Sequence, residues 1–151
     1  MSIEVTFSKE RGLATAYGQA MVFHCNHYNR SLQQTIEDPG YIDSERILVD
    51  AAKETVFLQL RECFSRGGFA DVQAKLNFAA EIFQCAGFGR VDFSGVRSPK
   101  GGTVVVPSSH YGMAVKLNLA HRTKPAEYFD RGFIQGALAA AFDDQGPPAL
   151  S

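Results

Sequence analysis

Apolar residues recur at steps of three and four through "IDSERILVDAAKETVFLQLRECF", at Ile47, Leu48, Ala51, Ala52, Val56, Leu60, Cys63 and Phe64. That is the spacing of one face of an α-helix. Ser44 stands where an N-cap is needed, and Gly67-Gly68 supplies the stop. A second helix is predicted from about Asp71 to Ala86, with Val72, Leu76, Ala79, Ile82, Phe83 and Ala86 as its stripe and Gly87 beyond it. An earlier helix, from about His24 to Glu37, carries Tyr28, Leu32 and Ile36 four apart and runs into the turn Asp38-Pro39-Gly40. The last, "PAEYFDRGFIQGALAAAF", has Pro125 near its first turn and a face of Tyr128 or Phe129, Phe133, Leu138 and Phe142. Before it come "RVDFSGV", "GGTVVVP" and "GMAVKLNLA", short β-branched or alternating runs punctuated by Gly and Pro, which read as antiparallel strands. Strands that come as a group, rather than alternating with helices, predict an α+β fold: a small antiparallel sheet packed with helices around an apolar pocket.

The length of 151 residues matches one hydrophobic core. The expectation is a single domain over residues 1–143, followed by a flexible tail at 144–151 that ends in Gly-Pro-Pro-Ala-Leu-Ser. Hydrophobic residues make up 45% and charged residues 21%, a composition that folds rather than stays disordered. With a net charge of −1 and scattered Lys and Arg, the chain carries no electrostatic footprint for nucleic acid or an anionic membrane, so neither partner is expected. Three cysteines without a CxxC pair argue against a disulfide framework. Together with the lack of a cationic, apolar leader or a spanning run, this makes the cytoplasm the expected location. Twelve Phe and five Tyr with no Trp point to a dense aromatic core or an aromatic-lined pocket.

The candidate chemistry lies in His24-Cys25-Asn26-His27, directly behind the apolar run 20–23. On a helical wheel Cys25 falls three before Tyr28 and so is expected to face inward, while His24, His27 and Ser31 share the adjoining face and Asn29 enters the buried stripe. A thiol in a first helical turn meets unpaired N–H groups that favour thiolate. The competing reading is a packed cysteine beside ordinary helix-start polar residues. His110 and Tyr111, in "VPSSHYGMA", are the other candidates, with His110 a base or donor reaching toward Cys25 across the pocket mouth, or simply a solvated turn residue. His24 and His27 at i, i+3 lack a second ligand pair, so no metal or other cofactor is assigned. Cys63 and Cys85 fall on helical stripes and read as core filler, and His121 as a surface residue.

Residues 71–143 carry the order "VQAKLNFAAEIFQCAGFGRVDFSGV", "GGTVVVPSSHYGMAV" and "YFDRGFIQGALAAAF", with Arg131-Gly132-Phe133-Ile134-Gln135-Gly136-Ala137-Leu138 as the strongest local pattern. This half resembles the 4-vinyl-reductase-type, hydrocarbon-binding domain. The resemblance implies a helix, antiparallel strands and a Gly-punctuated helix wrapped around a small-molecule pocket. That family continues into a strand with Glu and two Cys, which are lacking here, so a metal site of that kind is not implied. Two functions follow. In one, Cys25 attacks a small electrophilic substrate, His24, His27 or His110 moves the proton, and Asn29 or helix-terminal N–H groups hold the oxyanion, as in a cysteine-dependent hydrolase or lyase. Tyr28, Asn29, Tyr111, Phe83 and Phe133 would contact the substrate. In the alternative, the same aromatic pocket, with Phe78, Phe93 and Phe129 added to its wall, belongs to a non-catalytic hydrophobic-ligand sensor. A protein-interaction module of similar architecture is the third class, marked by an exposed apolar patch and no cavity. Edge strands and broad apolar helix faces are compatible with a homodimer.

Overall fold

A computed structural model describes residues 4–16, 18–22, 25–98, 101–117 and 127–142, the side chains of 114–117 excepted. Three short strands, β1 (Val5–Ser8), β2 (Leu13–Ala16) and β3 (Gln19–Met21), form an antiparallel meander in the order β1-β2-β3. Helices α1 (Asn26–Glu37), α2 (Ser44–Gly67) and α3 (Val72–Cys85) follow, then the antiparallel pair β4 (Gly89–Ser98) and β5 (Gly101–Ser109), and finally α4 (His110–Leu117) and α5 (Tyr128–Ala141). The class is α+β, with two small antiparallel sheets among the described residues rather than one.

Local chemistry sets the helix boundaries. The Asp43 carboxylate accepts the Arg46 N–H at 3.1 Å, so Asp43, rather than Ser44, caps α2. Gly68, at φ 57°, ends the helix in the left-handed conformation that only glycine adopts cheaply. Asp71 caps α3 through Ala74 N–H at 2.7 Å. The third expected strand, "GMAVKLNLA", is overturned: as far as it is described it belongs to α4. Its start is fixed by the Ser109 hydroxyl, which accepts the Gly112 N–H at 2.9 Å. A short apolar run reads alike for a strand and for a helix, and the serine cap is the local feature that separates the two. Pro125, His121 and the tail from 144 lie outside the described residues.

The core is built by α2, α3, α5 and β4. Phe57, Leu60, Leu76 and Phe83 are its largest fully enclosed side chains, joined by Phe78, Phe93 and Phe133. Each such side chain contributes roughly 1.5–3 kcal/mol of burial. On β4 the alternation is of period two: Val91 and Phe93 face the core, and Arg90, Asp92 and Ser94 face outward. The most extensive contact is between α2 and α5. A Cβ added to Gly132 would lie 2.5 Å from the Val49 carbonyl oxygen and 2.6 Å from Ala52 Cβ, and one added to Gly136 would lie 2.6 Å from the Lys53 carbonyl oxygen. Gly132 thus faces residues 49–53 and Gly136 faces 53–57, so the two helices run in the same direction with backbones touching. The Arg131–Glu45 ion pair, at 2.6 Å, flanks this contact at the surface, where it adds little.

Gly136→Ala is therefore expected to lower unfolding stability by about 2 kcal/mol or more, despite alanine's better helix propensity, because the methyl meets main chain that cannot rotate away. Urea unfolding of the variant checks this; unchanged stability would mean that the helices are not in contact there.

Candidate functional site

The exposed flank of the α2 stripe borders a void. Thr55, Val56, Gln59, Leu60 and Cys63 form one wall of a cavity of about 220 Å³. Ile82, Cys85 and Ala86 at the end of α3 form another, with Phe88 beyond them. Phe129 and Phe133 of α5 close a third side, and Ala16, Gln19 and Met21 of the first sheet lie over it. Gln19 is held to α2 by its side-chain amide, which donates to Glu62 at 3.1 Å, so the meander is tethered beside the opening. The lining is overwhelmingly apolar. Its uncharged polar groups are the Gln19 and Gln59 amides and the Thr55 hydroxyl, and among the described residues it contains no charged side chain. Burial pushes the Cys63 thiol pKa up, and the neighbouring Glu62 carboxylate adds to the rise, so this sulfur is a thiol and acts as an apolar wall atom.

A second cavity, of about 280 Å³, lies farther toward the N-terminus of α2. Leu48, Ala51, Ala52 and Thr55 line it from α2, Asn29, Leu32, Gln33 and Ile36 from α1, and Tyr111, Tyr128 and Phe129 from the C-terminal half. Thr55 and Phe129 belong to both cavities. Phe129 is the hub of an aromatic group. Its ring centroid is 4.3 Å from Phe88, 5.4 Å from Tyr111 and 6.2 Å from Phe133, while Phe133 packs edge-on to Phe83 at 4.8 Å.

The residues singled out from sequence separate into three places. Cys25 does not face inward: it is exposed, and its sulfur caps α1 by accepting the Tyr28 N–H at 3.4 Å. The wheel failed there because the helix begins at Asn26, leaving Cys25 in extended backbone at φ −74°, ψ 155°. His27 and Tyr28 are also exposed, and His24 lies outside the described residues. Asn29 and His110 are brought together. The Asn29 amide donates to His110 Nε2 at 3.2 Å, which requires the neutral ring protonated on Nδ1, and burial lowers the His110 pKa in the same sense. The Asn26 amide donates to the His110 carbonyl at 2.9 Å, so this pair seams α1 to α4. Tyr111 lines the second cavity and Phe133 the first, whereas Phe83, Phe78 and Phe93 fill the core. Cys85, expected in the core, is exposed at the rim of the first cavity.

Sequence reasoning missed the α2 wall and Asp130. Asp130 is 3% exposed, and neither carboxyl oxygen has a hydrogen-bond partner among the described residues. Burial pushes its pKa up to about 6; the nearby Ser109 hydroxyl opposes the rise without closing a hydrogen bond, and Glu127 adds to it. Tyr111 is close enough that the Asp130 charge, after burial itself, raises the phenol pKa. The signal was present in the sequence: Asp130 precedes Phe133 by three and Ala137 by seven, on the buried stripe of α5.

No family model matches the chain, and no curated protein matches it by sequence. Among solved structures it is similar to the phenol-responsive sensory domain of the transcription activator PoxR, crystallised with phenol. The TM-score is 0.75 over 92% of this chain and 72% of that one, at 12% identity. That likeness establishes the fold.

Between about pH 4 and pH 6 the folded chain holds a proton on Asp130 that the unfolded chain has released, so stability falls as pH rises through that window. Above it the cost is fully present. Asp130→Asn is expected to be more stable than the parent by about 1–3 kcal/mol at pH 8 and no more stable at pH 4. Urea unfolding at the two pH values measures the difference, and a gain that is equal at both would remove the buried charge as its cause.

Proposed function

We propose that this chain is a ligand-binding sensory domain whose effector is a small, largely apolar molecule, a monocyclic aromatic with at most one or two polar substituents, held in the cavity between α2, α3 and α5. The observation that carries the reading is the lining of that cavity: aromatic and aliphatic side chains on every side, no charge among the described residues, and three uncharged polar groups, Gln19 of the first sheet and Thr55 and Gln59 one helical turn apart on α2. An apolar void of about 150 Å³ is enough to take up benzene, so about 220 Å³ accommodates a substituted ring. The Gln59 amide and Thr55 hydroxyl provide a donor and acceptors for a phenolic hydroxyl at the open side. The fold likeness to a domain described as phenol-responsive supports this choice of effector class.

The location of the cysteine favours binding over turnover. Cys25 belongs to neither cavity lining, and the ring nitrogen of His110 is engaged by Asn29 rather than by the thiol. The thiols that do face the ligand space are Cys63 and Cys85, and Cys63 is held protonated by its surroundings.

Phenol and toluene are expected to bind the purified chain with micromolar to millimolar affinity and to raise its melting temperature, as read by calorimetric titration and thermal unfolding. Ala86→Phe places a ring into the cavity from the end of α3 and should weaken binding of both by about tenfold or more while the chain stays folded. If neither ligand binds the parent, or if both bind the filled variant equally well, this cavity is not the effector site.

A further inference from the structure

We infer that Phe129 is a partition that sets the length of ligand the domain accepts, dividing one continuous groove along α2 into two chambers. This rests on the ligand-binding reading above and extends it to a second chamber. The residues that line the two cavities from α2 are Leu48, Ala51, Ala52 and Thr55 for one, and Thr55, Val56, Gln59, Leu60 and Cys63 for the other. They advance in alternating steps of three and one, so they form a single helix face from residue 48 to residue 63, about 22 Å long at 1.5 Å per residue. A single face with voids over two successive stretches is one groove with an obstruction. The obstruction is where the linings overlap, at Thr55 on the α2 side and Phe129 on the α5 side. Threonine is small, so the ring of Phe129 is the part that fills the space.

The ring is held by tilted contacts with two neighbouring rings rather than by enclosure. Phe88 at 4.3 Å and Tyr111 at 5.4 Å fix its plane, and the residue is only partly buried. Tyr111 belongs to the second chamber and Phe88 to the first, so the aromatic group spans the divide. The second chamber also differs chemically from the first, because its α1 side supplies the Asn29 and Gln33 amides and its far side the Tyr111 and Tyr128 rings. With the partition in place the first chamber takes one ring. With it removed, a linear two-ring molecule can lie along α2 with its second ring over Ala51 and Ala52.

The test compares phenol with 4-phenylphenol, which keeps the hydroxyl and adds one ring in line. Phe129→Ala should raise the affinity for 4-phenylphenol relative to phenol by about tenfold, the effect of burying a further ring face in the opened space. Phe129→Leu, which keeps bulk in the core and guards against a variant that fails to fold, should raise the same ratio by about threefold. Adding Ala51→Phe to Phe129→Ala refills the second chamber from an exposed helix position and should return the ratio to that of the parent. A ratio that stays flat in both Phe129 variants, or a gain that survives Ala51→Phe, overturns the partition. Crystals pressurised with xenon give a readout independent of phenol. Separate xenon sites in the two chambers of the parent, with a new site bridging them in Phe129→Ala or Phe129→Leu, support it, and no bridging site overturns it. Failure of the parent to bind phenol would count against the effector reading alone, and the xenon positions would still decide the partition.

Discussion

The backbone contact between α2 and α5 sets the geometry of the rest of the molecule. At Gly132 and Gly136 the two helices meet with no side chain between them on α5, so their separation is dictated by main-chain atoms at Val49 and Lys53. Contact at that distance exchanges two potential side chains for dispersion along both backbones, and it is intolerant of even a methyl group. It also fixes rotation. With Gly132 and Gly136 turned toward α2, Phe129 and Phe133 at the flank of α5 are aimed to one side of the contact, and that side is where the first cavity lies. Ala137, Ala140 and Ala141 continue the small-residue surface on α5, so Phe57, Leu60 and Phe83 can interlock above it.

This arrangement explains why helices were legible in the sequence and the site was not. The stripes of α2 and α3 are readable because the residues that bury them repeat at the helical period over about four to six turns: Ala52, Val56, Leu60, Cys63 and Phe64 of α2 and Leu76, Ala79 and Phe83 of α3 are core, whereas Ile47 and Ala51 near the start of the α2 stripe are exposed. The Gly132/Gly136 spacing was visible as a pattern, but its partner surface was not, since small residues at helical spacing do not say which helix they meet. The first sheet leaves no mark in the sequence because its strands are only three or four residues long and none of their residues is fully buried, so there is no alternation to read. The α4 segment reads as a strand in sequence because five or six apolar residues satisfy either period, and the deciding contact, a serine hydroxyl on the Gly112 N–H, is a single local bond.

For the site, the sequence drew attention to chemically reactive residue types, and those sit where polar groups are needed to join elements. Cys25 caps α1, Asn26 and Asn29 bind His110, and His110 N–H donates to the Phe88 carbonyl at 2.8 Å, so the group forms a seam tying α1 and α4 to the sheet. A seam of this kind consumes hydrogen-bonding capacity, and an imidazole whose acceptor nitrogen is occupied has given up the group a general base would use. The residues that line the void are instead unremarkable in sequence, among them a threonine, two glutamines, two alanines, two cysteines and three phenylalanines. Reactive types are conspicuous in a sequence, whereas incomplete packing is a property of several elements together.

The void has a cause that can be traced to α2. On the side of this helix that meets α5, Ala52 must be small because Gly132 brings a backbone against it. One residue to the side, Ala51 and Thr55 are small and exposed, and Gln59 continues the same line outward. Larger apolar residues at these positions would fill both chambers and add burial at little steric cost, so the chain forgoes stabilisation of roughly 1–2 kcal/mol per site. Asp130 adds a second such loss, a carboxylate held out of water without a hydrogen-bond partner among the described residues, a short distance from the tyrosine that lines one chamber. Both losses lie within the reach of the same aromatic group and neither is required by the helix contact that organises the fold. A protein selected only to fold would remove them, and their concentration beside Phe129 and Tyr111 is what the ligand-binding proposal rests on besides the lining itself.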